Sequence, residues 1–118
     1  MQGGDITLNG TKTVESRSIY GPSSGFEDEN FKVAHRSAGI VSMANTGKNT
    51  NNDQFLVTTA ATPWLDRQHV AFGMVVEGMD VVHRVEAVAV DAKGAPFEEC
   101  VVVDSGELPV DARYHIEL

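Results

Sequence analysis

Apolar positions along the chain fall into short runs, GIVSMA at 39–44, QFLVTT at 54–59, HVAFGMVV at 69–76 and CVVVDS at 100–105, each bounded by Gly, Asn, Asp or Pro. Their β-branched and aromatic content suits a pleated, half-buried surface, and the regular punctuation suits antiparallel pairing through loops. The pattern predicts a mainly β domain, a barrel or a sandwich. One stretch departs from it. In GMDVVHRVEAVAV, residues 78–90, Val82, Val85 and Ala89 recur at spacings of three and four and form the apolar stripe of a helix. Gly78 suits its cap, and Asp80 lies in the first turn, where the helix dipole favours an acid. Valines lose rotamer freedom in a helix, so this one is expected to form by docking its stripe on the sheet. Met43 and Phe72 are expected in the core. The long connections 8–30 and 59–68 are expected on the surface, where functional loops sit.

Composition narrows the partners. The 118 residues are 42% hydrophobic and 22% charged, which fits one core-bearing domain. A net charge of −8 disfavours nucleic acid and anionic membrane as partners, and no run reaches the roughly 18 apolar residues of a membrane span. Polypeptides or small molecules remain. The single cysteine, Cys100, has no internal disulfide partner and reads as a small buried hydrophobe.

The usual reaction signatures are missing from the sequence. His35, His69, His83 and His115 are scattered without metal-ligand spacing, so neither a metal nor another cofactor is expected. The segment TGKNT resembles a phosphate-binding loop but has Ser42 where the first glycine belongs, and reads as a polar turn. No glycine-flanked serine elbow occurs, and no spacing pairs a serine with a histidine and an acid. NGT at 9–11 is a glycosylation sequon that reads as a polar loop. The ending HIEL resembles endoplasmic-reticulum retention endings, with Ile116 in place of the acidic residue. It predicts residence in that lumen where a leader is also made, and in the cytoplasm otherwise.

The motifs QGGD, SIYG, FEDENF, GIVSMANTGKNTNNDQF, TPWLD, HVAFG and EGMDVV occur in an order and spacing that resemble the cyclophilins, a family of peptidyl-prolyl cis–trans isomerases. The resemblance divides the chain into a cyclophilin-like domain, 1–108, and a tail, 109–118. It implies a closed antiparallel β-barrel with capping helices, here incomplete at its N-terminus. It also implies a groove for proline-containing polypeptides. At the positions matching the family's motifs, Gln2, Asn45 and Gln54 line that groove and the Asn45 main chain pairs with the substrate. Ala44 flanks it, Gly10 and Thr46 border the adjoining pocket, and Leu56, Leu65 and His69 wall the proline cup, with Trp64 at the rim.

Several positions depart from the family pattern. The catalytic arginine of the resemblance lies upstream of QGGD, ahead of Met1, together with the first strands and helix. The chain is therefore expected to be a fragment, a truncated gene model, or a chain completed by another polypeptide. Leu56 replaces a pocket phenylalanine and Thr46 an alanine, which weakens the expected binding of cyclosporin-like cyclic peptides. Asn52 replaces a glycine, so a positive φ is expected there. Asp53 adds negative charge beside the groove and favours basic peptides. Three functions stay open at this level: an isomerase assisting protein folding, a catalytically inactive cyclophilin-like binding or assembly module, and a small structural β-protein with no peptide groove, against which the amide loops around Asn45 and Gln54 argue.

Overall fold

The computed structural model describes residues 1–5, 18–20 and 25–109. Four short strands, β1 (Gln2–Gly3), β2 (Ile40–Met43), β3 (Phe55–Val57) and β4 (Ala71–Met74), form one antiparallel sheet in the order β1-β3-β2-β4. The sheet is open among the described residues, so β1 and β4 are its edges. Three of the four apolar runs thus become strands, each shorter than its run.

The register fixes which side chains share a face. Met43 pairs with Phe55, Ser42 with Leu56 and Val41 with Val57, while Ser42 faces Ala71 across a register shift between Val41 and Ser42. Gln2 continues the row beside Leu56. The core is small: Ile40, Val57, Val70, Ala71 and Val82 supply most of its buried apolar surface.

Helix α1 (Met79–Glu86) begins where the periodicity places it. Gly78 occupies the left-handed region at φ 91°, a conformation glycine adopts without a Cβ clash, and Asp80 sits in the first turn. Val82 is buried and Val85 half-buried, but the helix ends at Glu86, so Ala89 lies beyond it and is exposed. The docked stripe is one turn shorter than its sequence pattern.

Three expectations are corrected. Residues 100–105 form no strand, and Val101, Val102 and Val103 are 64%, 71% and 95% exposed. A β-branched run lacking a ladder partner has no means of burying its side chains. Cys100 is accordingly exposed rather than buried. Phe72 is 56% exposed, because strand alternation turns Ala71 inward and Phe72 to the other face. There it lines an open cleft of about 400 Å³ with Tyr20, Phe26, Met43 and Val70. Gly10, the sequon, HIEL and most of the 109–118 tail lie outside the described residues.

Candidate functional site

Two glycines open the site. Gln2 pairs with Leu56 and Gly3 with Phe55, and the chain then turns at Gly4, whose φ is +89°. A Cβ there would stand 2.3 Å from the Asp53 carbonyl oxygen and 2.9 Å from the Phe55 ring, so the β1–β3 contact admits only glycine. This close approach sets Gln2 beside Gln54: the Gln2 amide Nε2 donates to Gln54 Oε1 at 2.7 Å. Gln54 is held in turn, its N–H donating to Asn52 Oδ1 at 3.0 Å and its carbonyl accepting from Ala44 N–H at 3.1 Å. Gln2, Gln54, Leu56 and Ala44 are therefore neighbours.

From Ala44 the backbone leads to Asn45, whose side-chain Nδ2 donates to the Gln68 carbonyl at 2.7 Å. The Asn45 main-chain N–H and C=O take no partner among the described residues. His69 Nδ1 donates to the Met43 carbonyl at 2.9 Å, leaving Nε2 unprotonated in the neutral ring. Leu65 accepts the N–H groups of Gln68 and His69 at 3.1 and 3.0 Å. Asn45 and His69 thus tie the 63–69 segment to the end of β2, and both line an open cleft of about 580 Å³. Trp64, in the 3-10 turn Pro63–Leu65, is 67% exposed and makes no hydrogen bond within the described residues. Thr46 is exposed, and its N–H donates to Thr50 Oγ1 at 2.9 Å.

The amide-rich loop spends most of its side chains on itself. Buried Asn51 donates through Nδ2 to the Phe26 carbonyl at 3.0 Å and to Asp28 Oδ1 at 2.8 Å. Asp28 Oδ2 accepts from Asn49 N–H at 3.0 Å, and Asn49 Oδ1 accepts from Asp28 N–H at 2.9 Å. The positive φ expected at Asn52 falls on Asn49 instead, at 57°. Asn52 uses its side-chain oxygen to accept from Gln54 N–H, an Asx turn that needs no left-handed backbone.

Beneath the site lies an arrangement that linear spacing does not disclose. His35 is fully buried; its Nε2 meets Ser42 Oγ at 3.0 Å and its Nδ1 meets Asp66 Oδ1 at 2.7 Å. A carboxylate can only accept, so Nδ1 carries a proton, and in the neutral ring Nε2 accepts from the Ser42 hydroxyl. The His35 N–H also donates to Asp66 Oδ1 at 2.7 Å, and the His35 carbonyl accepts from Thr62 N–H at 2.9 Å. These two donors, the backbone N–H first and the ring second, hold the Asp66 carboxyl below its usual pKa. Although serine, histidine and aspartate stand in line, Ser42 has no exposed surface to offer a substrate. The array staples both ends of the 63–65 turn to the sheet. His35 and Asp66 are 31 residues apart, so only the fold could reveal it.

The same order of motifs has a counterpart in known proteins. The chain belongs to the cyclophilin-type peptidyl-prolyl cis–trans isomerase family: the family model described as "Cyclophilin type peptidyl-prolyl cis-trans isomerase/CLD" matches residues 1–107. Among its relatives is the Saccharomyces cerevisiae protein named "Peptidyl-prolyl cis-trans isomerase D", 50% identical over 116 residues, covering 96% of this chain and 50% of the yeast protein. The Arabidopsis thaliana "Peptidyl-prolyl cis-trans isomerase CYP21-1" is 47% identical, over 94% of this chain and 48% of its own length. A Bos taurus protein named "Probable inactive peptidyl-prolyl cis-trans isomerase-like 6" is 44% identical, over 92% of this chain and 34% of its own length. The chain spans about half the length, or less, of these curated relatives.

Proposed function

We propose that this chain binds an extended X–Pro segment of a polypeptide and takes part in its cis–trans isomerisation. What supports the reading, beside the family, is the unpaired main chain of Asn45 between Gln54 on one side and His69 on the other. An extended peptide presents alternating N–H and C=O groups, and a free N–H and C=O at a strand end grip them without reading side chains. Gln2, Ala44 and Gln54 form the polar side of the groove. Leu56, Leu65 and His69 form the apolar cup, Trp64 the rim, and Thr46 the border of the adjoining pocket.

Rotation about the X–Pro bond faces a barrier of about 18–20 kcal/mol from amide resonance, so a groove that holds both flanks while the bond twists needs neither nucleophile nor cofactor. Fixed amide dipoles aimed at the twisted carbonyl lower that barrier electrostatically. Leu56 supplies less ring-stacking surface than an aromatic would, so cyclosporin-like cyclic peptides bind weakly. A second reading is a module that grips proline segments without isomerising them, and the likeness to the Bos taurus protein named "probable inactive" favours it.

A protease-coupled assay on an X–Pro peptide, run on this chain and on a form extended upstream of Met1, decides between them. Isomerisation in either supports the first reading. Quenching or enhancement of Trp64 fluorescence by the peptide with no rate gain in either form supports the second. Absence of any fluorescence response at millimolar peptide overturns both.

A further inference from the structure

Two cations stand beside the Asn45 end of the groove, neither with an ion-pair partner among the described residues. Lys48 and Arg67 line the same cleft as Asn45 and His69, one from the loop after β2 and the other from the segment after the 63–65 turn. Neither side chain forms an ion pair or hydrogen bond among the described residues. The cleft's acid, Asp28, has both carboxylate oxygens engaged by Asn51 Nδ2 and Asn49 N–H. On a chain of net charge −8, a cleft lined by two cations and one carboxylate, Asp28, is a local reversal of sign.

Arg67 carries a second signal. Its φ is +63°, a left-handed conformation that a residue with a Cβ adopts at a cost, and its guanidinium makes no hydrogen bond or ion pair among the described residues that would offset that cost. The backbone there is bent so that the 66–69 segment closes on Leu65, whose carbonyl takes two N–H groups. Where a glycine would be relaxed, an arginine faces the cleft.

We propose that Arg67 and Lys48 are specificity-determining residues that select peptides carrying an acidic side chain, a carboxylate or a phosphate, within about two residues of the proline. The inference rests on the peptide-binding reading above and names the substrate class for that same groove. A guanidinium fork and a lysine ammonium suit a planar carboxylate and a tetrahedral phosphate alike, and water trapped between them carries the contact where the side chain is short. The preference is one-sided along the peptide, because Asp53 adjoins Gln54 at the groove's other end.

The test is a binding series on the chain, read by anisotropy of labelled X–Pro peptides: neutral; glutamate on either side of the proline; phosphoserine on either side; lysine on either side. Exposed pairs of this kind are expected to tighten one glutamate placement about three- to tenfold over the neutral peptide, and phosphoserine at the same position by more. Raising the salt to roughly 0.5 M, where screening acts within a few Å, should erase most of the gain. In R67Q/K48Q the acidic-to-neutral affinity ratio should fall to about one, and in R67E/K48E the lysine peptide should become the preferred member. A neutral peptide that binds as tightly as every acidic one in the unaltered chain overturns the inference while leaving the peptide-binding reading intact. Failure of every peptide to bind overturns both.

Discussion

Individual residues carry sharply different kinds of constraint in this site. Gly4 is limited by geometry: an added Cβ would meet the Asp53 carbonyl at 2.3 Å and its φ of +89° is strained for any other residue. Gly4→Ala should therefore peel β1 from β3, lowering stability by about 2 kcal/mol or more, measured as a shift of the urea midpoint, and releasing Gln2 from Gln54. Leu56 is limited by what it lacks. Leu56→Phe places a ring beside Gln2 on the half-exposed face of β3, where it can pack on a bound pyrrolidine. Prolyl-peptide affinity should rise about three- to tenfold by aromatic contact, read by titration of Trp64 fluorescence. An unchanged affinity would remove Leu56 from the cup. Asn51 answers to hydrogen bonding, since its buried Nδ2 serves both Phe26 and Asp28, and that role has no trace in a sequence where four asparagines lie within eight positions.

At the scale of elements, the sequence spoke clearly wherever a local cause decides the outcome. Strands β2, β3 and β4 and helix α1 follow from β-branched and aromatic runs set between turn residues, from the 3.6 period and from the Gly78 cap, all of which operate within a few residues. It misled where a partner decides. Residues 100–105 have the composition of a strand and remain exposed, because β-propensity expresses packing against a neighbour. Phe72 likewise has the chemistry of a core residue on a face that the described residues leave half open. The proposed site residues come from motif order, whereas the staple that positions the 63–65 turn left no mark in the sequence, for His35 and Asp66 lie 31 residues apart and meet only in the fold. That staple makes its own prediction. His35→Leu leaves the buried Ser42 hydroxyl without its acceptor and the 62–66 turn without its ring contact, at a cost of about 1–3 kcal/mol. Because the turn carries Leu65 and leads to His69, peptide affinity measured well below the melting temperature should fall as well. His35→Asn, which can restore a donor toward Asp66, should recover part of the affinity. Loss of stability with full retention of affinity would confine His35 to a structural role.

For the molecule as a whole, pH sets two opposing trends. The net charge of −8 at neutral pH opposes compaction, and titration toward the isoelectric point near 4.8 relieves that repulsion, so stability should rise gently as pH falls from 7. Two carboxylates then reverse the slope. The Asp66 pKa is lowered from 3.8, chiefly by the His35 backbone N–H and then by the His35 ring; the Glu86 pKa is lowered from 4.5, chiefly by the Thr59 hydroxyl, 2.7 Å from Oε1, and then by His83. A depressed folded-state pKa contributes stability that is fully present above the unfolded value and is lost as pH falls through the folded one. The loss should therefore begin near pH 4.5 for Glu86 and near pH 3.8 for Asp66, and continue below them. Melting temperatures recorded from pH 7 to pH 3 should trace an asymmetric dome, with its acid limb steeper than its neutral limb. Asp66→Asn keeps an oxygen for His35 while removing the titration, so it should lower the plateau and flatten the acid limb, with Glu86→Gln flattening its upper part. An acid limb of unchanged slope in both variants would mean that other carboxylates govern acid unfolding and that these two hydrogen-bonded acids add nothing to it.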